Sequence, residues 1–138
     1  FYDKKEVGAL GISNCYDLDV LKYLFNNAKV KPSIVQNRFY AQSDYDKEIR
    51  SFCNENQITY ESFWSLTANP NILSDEVLQN LALKYERGVA EIFYRFLNHI
   101  NIVPLNGTTS LKHMIEDLKI GEFKLTREEI NSIYNLLN

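Results

Sequence analysis

ITYESFWSLTANP, running from Ile58 to Pro70, is a β-branched and aromatic segment that stops at a turn. Ile58 to Phe63 reads as a strand, and Asn69-Pro70 closes the loop behind it. Working outward, two helical stretches follow, roughly Ser74 to Tyr85 and Val89 to Asn98, with Gly88 between them. On the other side, Ser33 to Phe39 reads as a strand running into a helix from about Ser43 to Glu55. Ser43 is the expected N-cap there, with Asp44 and Asp46 in the favourable first turn.

The alternation extends to both ends. Val7 to Ser13 is expected as a strand and Asp17 to Ala28 as a helix, with Leu18, Leu21, Leu24 and Phe25 on one face. Lys31-Pro32 ends that pattern, because proline cannot continue a helix. Ile100 to Leu105 reads as a short fourth strand. Asn106-Gly107-Thr108-Thr109 then leads into a helix with Leu111, Met114, Ile115 and Leu118 on one face. A last helix opens on a Thr126/Glu129 capping box, with Ile130, Ile133, Tyr134 and Leu137 as its expected buried stripe. Four strands, each followed by helix, predict an α/β fold of parallel strands with right-handed crossovers and outer helices. A full (β/α)8 barrel takes about 250 residues, so this chain has the strands and the length of about half of one.

At 138 residues, a single domain over 1–138 is expected. The 45% hydrophobic and 24% charged composition excludes a disordered chain. A net charge of −3, without clustered Lys and Arg, argues against a nucleic-acid partner. No apolar run approaches the roughly 20 residues that span a bilayer, and no signal-peptide pattern opens the chain. Cys15 and Cys53 make neither a metal motif nor a disulfide framework, so reduced thiols in a cytoplasmic protein are expected, and no metal. The opening run FYDKKEVGAL reads as the tail of a helix entering a strand, which carries the expectation of a further segment upstream.

In such barrels the active face lies at the strand C-termini. Those ends hold Ser13-Asn14, Gln36-Asn37-Arg38, Phe63-Trp64-Ser65 and Asn106-Gly107-Thr108-Thr109. Each has an ordinary reading on pattern alone. Ser13-Asn14 can cap the next helix, Gln36 can be a satisfied buried amide, and Phe63 and Trp64 can be core. Asn106-Gly107 is a turn signal anywhere, and His99 and His113 can sit on helix surfaces.

In order and spacing, GISN (11–14), KPSIVQN (31–37), ITYESFWSLTANP (58–70) and IVPLNGTTSLKHMIEDL (102–118) resemble successive strand ends of the aldo-keto reductases. The resemblance runs from that family's fifth strand to its late helices, and SFWSLTANP and PLNGTTS are most similar to a fungal-type branch. It implies the C-terminal half of a (β/α)8 TIM barrel that binds NADP or NAD. By that resemblance, Ser13, Asn14 and Gln36 hydrogen-bond the nicotinamide carboxamide, for which uncharged side chains supply donors and acceptors. Phe63 takes the place of the ring on which the nicotinamide stacks, keeping the aromatic face of the commoner Tyr. Leu66 lies in the pyrophosphate-wrapping loop. Asn106, Thr108 and Thr109 precede a helix N-terminus that favours a phosphate. His113 stands where an Arg clamps the 2′-phosphate, and Glu116 and Asp117 match a pair that contacts adenine.

The departures matter equally. Leu105 replaces the family's usual Lys, and with His113 the permanently charged recognition of a 2′-phosphate is gone, which leaves NADP against NAD open. Trp64 and Ser65 replace a small residue and Pro. The family's hydride chemistry uses a Tyr acid tuned by Lys and Asp beside a His, because a free Tyr has a pKa of about 10. All four come from the first half of the barrel, so no catalytic residue is expected in this chain; Tyr60 has no strand-end Lys or His beside it. Three readings follow. The chain is the nicotinamide-binding half of an NAD(P)-dependent oxidoreductase, reducing aldehydes or ketones once an N-terminal half is present. It is a non-catalytic binding or scaffold module of the same lineage. Or a second copy closes the barrel as a homodimer, covering bare strand edges and an apolar inner face.

Overall fold

The computed structural model describes residues 1–137. Four strands, β1 (Gly11–Ser13), β2 (Ile34–Arg38), β3 (Thr59–Phe63) and β4 (Ile102–Pro104), form one sheet in chain order. Every pairing is parallel. Helices α1 (Leu18–Asn27) and α2 (Lys47–Glu55) make the first two crossovers. The third is longer, with α3 (Pro70–Ser74), α4 (Glu76–Tyr85) and α5 (Val89–His99); α6 (Leu111–Leu118) and α7 (Arg127–Tyr134) follow β4. None of these helices is long and apolar enough to cross a membrane.

The two-residue period of the strands divides the sheet into unlike faces. Val35, Asn37, Tyr60, Ser62 and Ile102 are buried against the helices. There they meet Leu21, Leu78, Ile92, Phe93, Phe96 and Leu97, none of which exposes any surface. Each such aliphatic or aromatic side chain contributes about 1.5–3 kcal/mol by leaving water. The alternate residues Gln36, Arg38, Glu61, Phe63 and Val103 face the other way and stay half-buried or exposed. β1 and β4 are the two edges and pair on one side only. At Gly11 a Cβ would come within 3.0 Å of the Ile34 Cβ and carbonyl oxygen, so this approach of β1 to β2 needs glycine.

Several boundaries differ from the sequence reading. β1 begins at Gly11 rather than Val7, since before it only Leu10 reaches β2, its carbonyl accepting from the Ser33 N–H at 2.8 Å. β4 is trimmed to Ile102–Pro104. Ser43 does not cap a helix: residues 41–46 form a tight irregular turn, and α2 starts at Lys47. Asp44, Tyr45 and Asp46 lie at φ of 49, 52 and 52°, a conformation that costs about 1–2 kcal/mol per residue. Long-range bonds hold it there. The Asp46 carboxylate accepts from the Asn37 amide at 2.7 Å and from the Tyr60 hydroxyl at 2.8 Å, all three buried. Asn37 also brackets Cys15, donating to its carbonyl at 2.7 Å and accepting from its N–H at 2.9 Å.

α4 begins at Glu76 rather than Ser74, capped by Asp75, which accepts from the Val77 N–H at 2.9 Å, and the expected turn at Pro70 opens the short helix α3. The Thr126/Glu129 box forms as read, with Glu129 accepting from the Thr126 N–H at 2.7 Å and Thr126 from the Glu129 N–H at 3.3 Å. In that last stripe Ile133 and Leu137 are buried and Ile130 is half-buried, but Tyr134 is exposed. The apolar face of α6 is open as well, with Leu111 at 71% and Leu118 at 86% exposure.

Candidate functional site

Ser13, Gln36, Glu61 and Val103 stand in one register row across the four strands. Arg38 and Phe63 pair two residues nearer the strand C-termini. Ser13, Gln36 and Phe63 therefore lie at one end of three adjacent strands, on the face the helices leave uncovered. Asn14 turns out of β1 at φ 56°, its N–H donating to the Gln36 carbonyl at 3.0 Å and its side-chain amide to Ser13 Oγ at 3.4 Å. These residues are not helix caps; Asp17 caps α1. The Gln36 Nε2 donates to Glu61 Oε2 at 2.9 Å. A carboxylate can only accept, so this bond fixes the orientation of the amide and leaves Oε1 as a free acceptor.

Around this row the mouth is tied together by Tyr16, whose hydroxyl donates to Asn14 Oδ1 at 3.4 Å and accepts from the Arg38 N–H at 3.0 Å. Trp64, the residue after β3, sits at φ 56°, which a bulky side chain adopts only at a cost of about 1–3 kcal/mol. The buried loop behind it holds the geometry. Ser62 and Ser65 share a hydrogen bond at 2.8 Å, and the Asn69 amide donates to the carbonyls of Phe39 at 2.7 Å and Ser65 at 2.8 Å.

A second feature is a cleft of about 410 Å³ between the β3 loop, α5 and α6. That volume lies within the roughly 300–1,000 Å³ of small-molecule sites. Leu66, Asn106, Thr108, His113, Glu116 and Asp117 line it together, joined by Tyr94 and Lys112, which sequence reasoning did not single out. Thr109 is exposed in the turn and does not line this cleft. Ser110 caps α6, accepting from the His113 N–H at 3.4 Å. Burial holds the Asp117 carboxyl above the usual carboxylate range, against the opposing pull of His113. A larger hollow of about 600 Å³ runs along the free edge of β4, between Val103, Met114 and Leu118.

The uncovered face offers hydrogen-bonding side chains and an aromatic ring. Tyr60 cannot reach it: the side chain faces the helices, and burial, then the Asp46 charge, pushes its pKa far above the ordinary tyrosine value. Burial also raises the Cys15 thiol and pushes Cys53 up to about 12, so both are neutral. Among the described residues no group of three or more His, Cys, Asp and Glu could hold a metal ion. Sequence reasoning passed over Arg38 and Glu61 as site residues, although the alternation from Gln36 along β2, and across to β3, places both on the same face.

The sequence profile of the aldo/keto reductase family matches residues 3–138. The chain belongs to that family. It is similar to the glyoxal reductase of Bacillus subtilis, 28% identical over 132 residues, which make up 96% of this chain and 47% of that protein. Among solved structures, an aldo-keto reductase enzyme from a Medee basin deep-sea metagenome library superposes with a TM-score of 0.87 at 25% identity, over 99% of this chain and 50% of the other. An aldo-keto reductase complexed with NADPH gives a TM-score of 0.78 at 20% identity, over 96% of this chain and 43% of that one. This family member spans about half the length of the curated relatives it matches, and its four parallel strands with helices are half of the aldo-keto reductase barrel.

Proposed function

We propose that this chain is the nicotinamide-binding half of an NAD(P)-dependent oxidoreductase, which reduces aldehydes or ketones when a complementary N-terminal half is present. The observation that carries this reading is the convergence of Ser13, Asn14, Gln36 and Phe63 on one uncovered strand mouth. The free Gln36 Oε1 and the Ser13 hydroxyl suit the donor and acceptor of a carboxamide, and the Phe63 ring suits a stacked nicotinamide. The cleft lined by Leu66, Asn106, Thr108, His113, Glu116 and Asp117 suits the nucleotide end, with Thr109 in the adjoining turn. When bound, the dinucleotide supplies the hydride; the chain's own residues orient the ring and exclude water from one side of it.

Neither NADP nor NAD is favoured by a permanent cation at His113, so both belong in the test. The two neutral thiols suit a cytoplasmic setting. The complement would pair with the edges of β1 and β4 and cover Val103, Leu111 and Leu118, while residues 1–138 form a single domain of their own, the C-terminal half of the barrel. A second copy of this chain is the competing cover, and a binding module without turnover is the outcome if no complement exists.

The test is to titrate the chain with NADPH and NADH and follow the nicotinamide fluorescence, with and without an aldehyde, while light scattering gives the mass. Saturable binding without oxidation is expected, with turnover appearing only when a polypeptide carrying the other four strands is added. Absence of binding to either dinucleotide contradicts the proposal, and a stable dimer mass favours closure by a second copy.

A further inference from the structure

Five of the fifteen Lys and Arg side chains, Lys29, Lys47, Lys84, Arg87 and Lys112, meet a carboxylate among the described residues. Arg87 spans Glu91 at 3.2 Å and Glu122 at 2.9 Å, and Lys84 meets Glu129 at 2.6 Å. Arg38 is different. Its guanidinium lies 4.4 Å from the Trp64 ring centroid and 5.2 Å from that of Tyr40, with no carboxylate within salt-bridge distance among the described residues. Its Nε is buried without a hydrogen-bond partner. Arg50 and Arg95 share an unpartnered Nε, but they sit on α2 and α5, whereas Arg38 is on the uncovered face in register with Phe63.

The aromatic clamp holds a permanent charge in place and partly strips its water, which strengthens its attraction for an anion. Glu61, an acid of the same face, is one row away and engaged by Gln36. Trp64 presents its ring to Arg38 from a left-handed backbone that most bulky residues avoid. A guanidinium offers five donors in a planar fork suited to carboxylate and phosphate oxygens.

We propose that Arg38 is an oxyanion-binding residue of the strand mouth. It takes either a phosphate oxygen of the bound dinucleotide or the carboxylate of an acid-bearing carbonyl substrate. The identity of the ligand rests on the reading above; the anion site itself does not.

Trp64 is the only tryptophan of the chain, so its emission reports directly on the clamp. The experiment titrates the full chain, and the variants Arg38→Gln and Arg38→Lys, with inorganic pyrophosphate, pyruvate, NADPH and, as an uncharged control, adenosine. Far-ultraviolet circular dichroism checks that the variants fold. Pyrophosphate or pyruvate is expected to change the emission saturably. Arg38→Gln should weaken that binding by roughly 10- to 100-fold while Arg38→Lys retains part of it and adenosine binds all three alike. The anion that depends on Arg38 names the source. The proposal is overturned if neither anion changes the emission of the parent chain, or if Arg38→Gln binds both as tightly. NADPH binding equally to parent and Arg38→Gln excludes the dinucleotide phosphate as the source; if pyruvate binding is then also independent of Arg38, the proposal is overturned and the cofactor reading stands. Arg38-dependent pyrophosphate binding without any NADPH binding does the reverse.

Discussion

The two faces of one small sheet solve opposite problems. On the helix side Asn37, Tyr60 and Ser62 are buried, and each finds its partner inside the chain: Asp46, Cys15 and Ser65. One residue along each strand, Gln36, Arg38, Glu61 and Val103 are left half-open, with a free amide oxygen, an unpaired guanidinium and an exposed aliphatic side chain. Buried polar groups are expensive unless satisfied, so the helix side is finished at folding. The other face leaves such groups without partners among the described residues. Stability and recognition are thus assigned to alternate residues of the same strands.

Substitutions that break this division should do so in a graded way. Phe93→Ala, in the fully buried layer, is expected to cost about 4 kcal/mol in chemical denaturation. Asn37→Ala removes the donor to Asp46 and both bonds to Cys15, and about 3 kcal/mol is expected, together with proteolytic opening of residues 41–46. A loss below about 1 kcal/mol would show that the left-handed turn does not depend on that network.

Acidification should produce a smaller effect. His99 Nε2 accepts from the Leu125 N–H at 3.2 Å and must be unprotonated to do so. Burial, with Arg95 and Lys124, holds its pKa below the ordinary 6.5. The unfolded chain takes up the proton first, so this stability is complete above pH 6.5 and is lost as the pH falls through the lower folded value. Urea midpoints at pH 7.5 and pH 5 should differ accordingly, and less so in His99→Gln. The smallest change in stability is expected for Gln36→Ala, under about 1 kcal/mol, although its dinucleotide affinity should fall roughly fivefold or more. Equal losses of stability at Asn37 and Gln36 would erase the contrast between the faces.

What was legible in the sequence stops short of this division. Strands β2 and β3 were legible as short β-branched and aromatic segments between turn signals, and the strand ends named Ser13, Gln36 and Phe63; the faces were not, since Ile34-Val35 and Gln36-Asn37-Arg38 do not alternate apolar with polar. Residues 41–46 were misread because Ser43, Asp44 and Asp46 look like a helix start, while the actual conformation depends on Asn37 and Tyr60, distant in sequence. Tyr134 fits a buried stripe by spacing, yet nothing among the described residues covers it fully. Arg38 was visible as a strand-end residue, but a missing counter-charge is a property of three dimensions.

The most direct test of the account is amide chemical-shift mapping of NADPH onto the isotopically labelled chain. Shifts confined to Ser13, Asn14, Gln36 and Phe63, and to Leu66, Thr108, His113 and Asp117, are the result the account requires. Shifts confined to the helix-covered residues, such as Asn37 and Tyr60, or none at saturating NADPH, would contradict it.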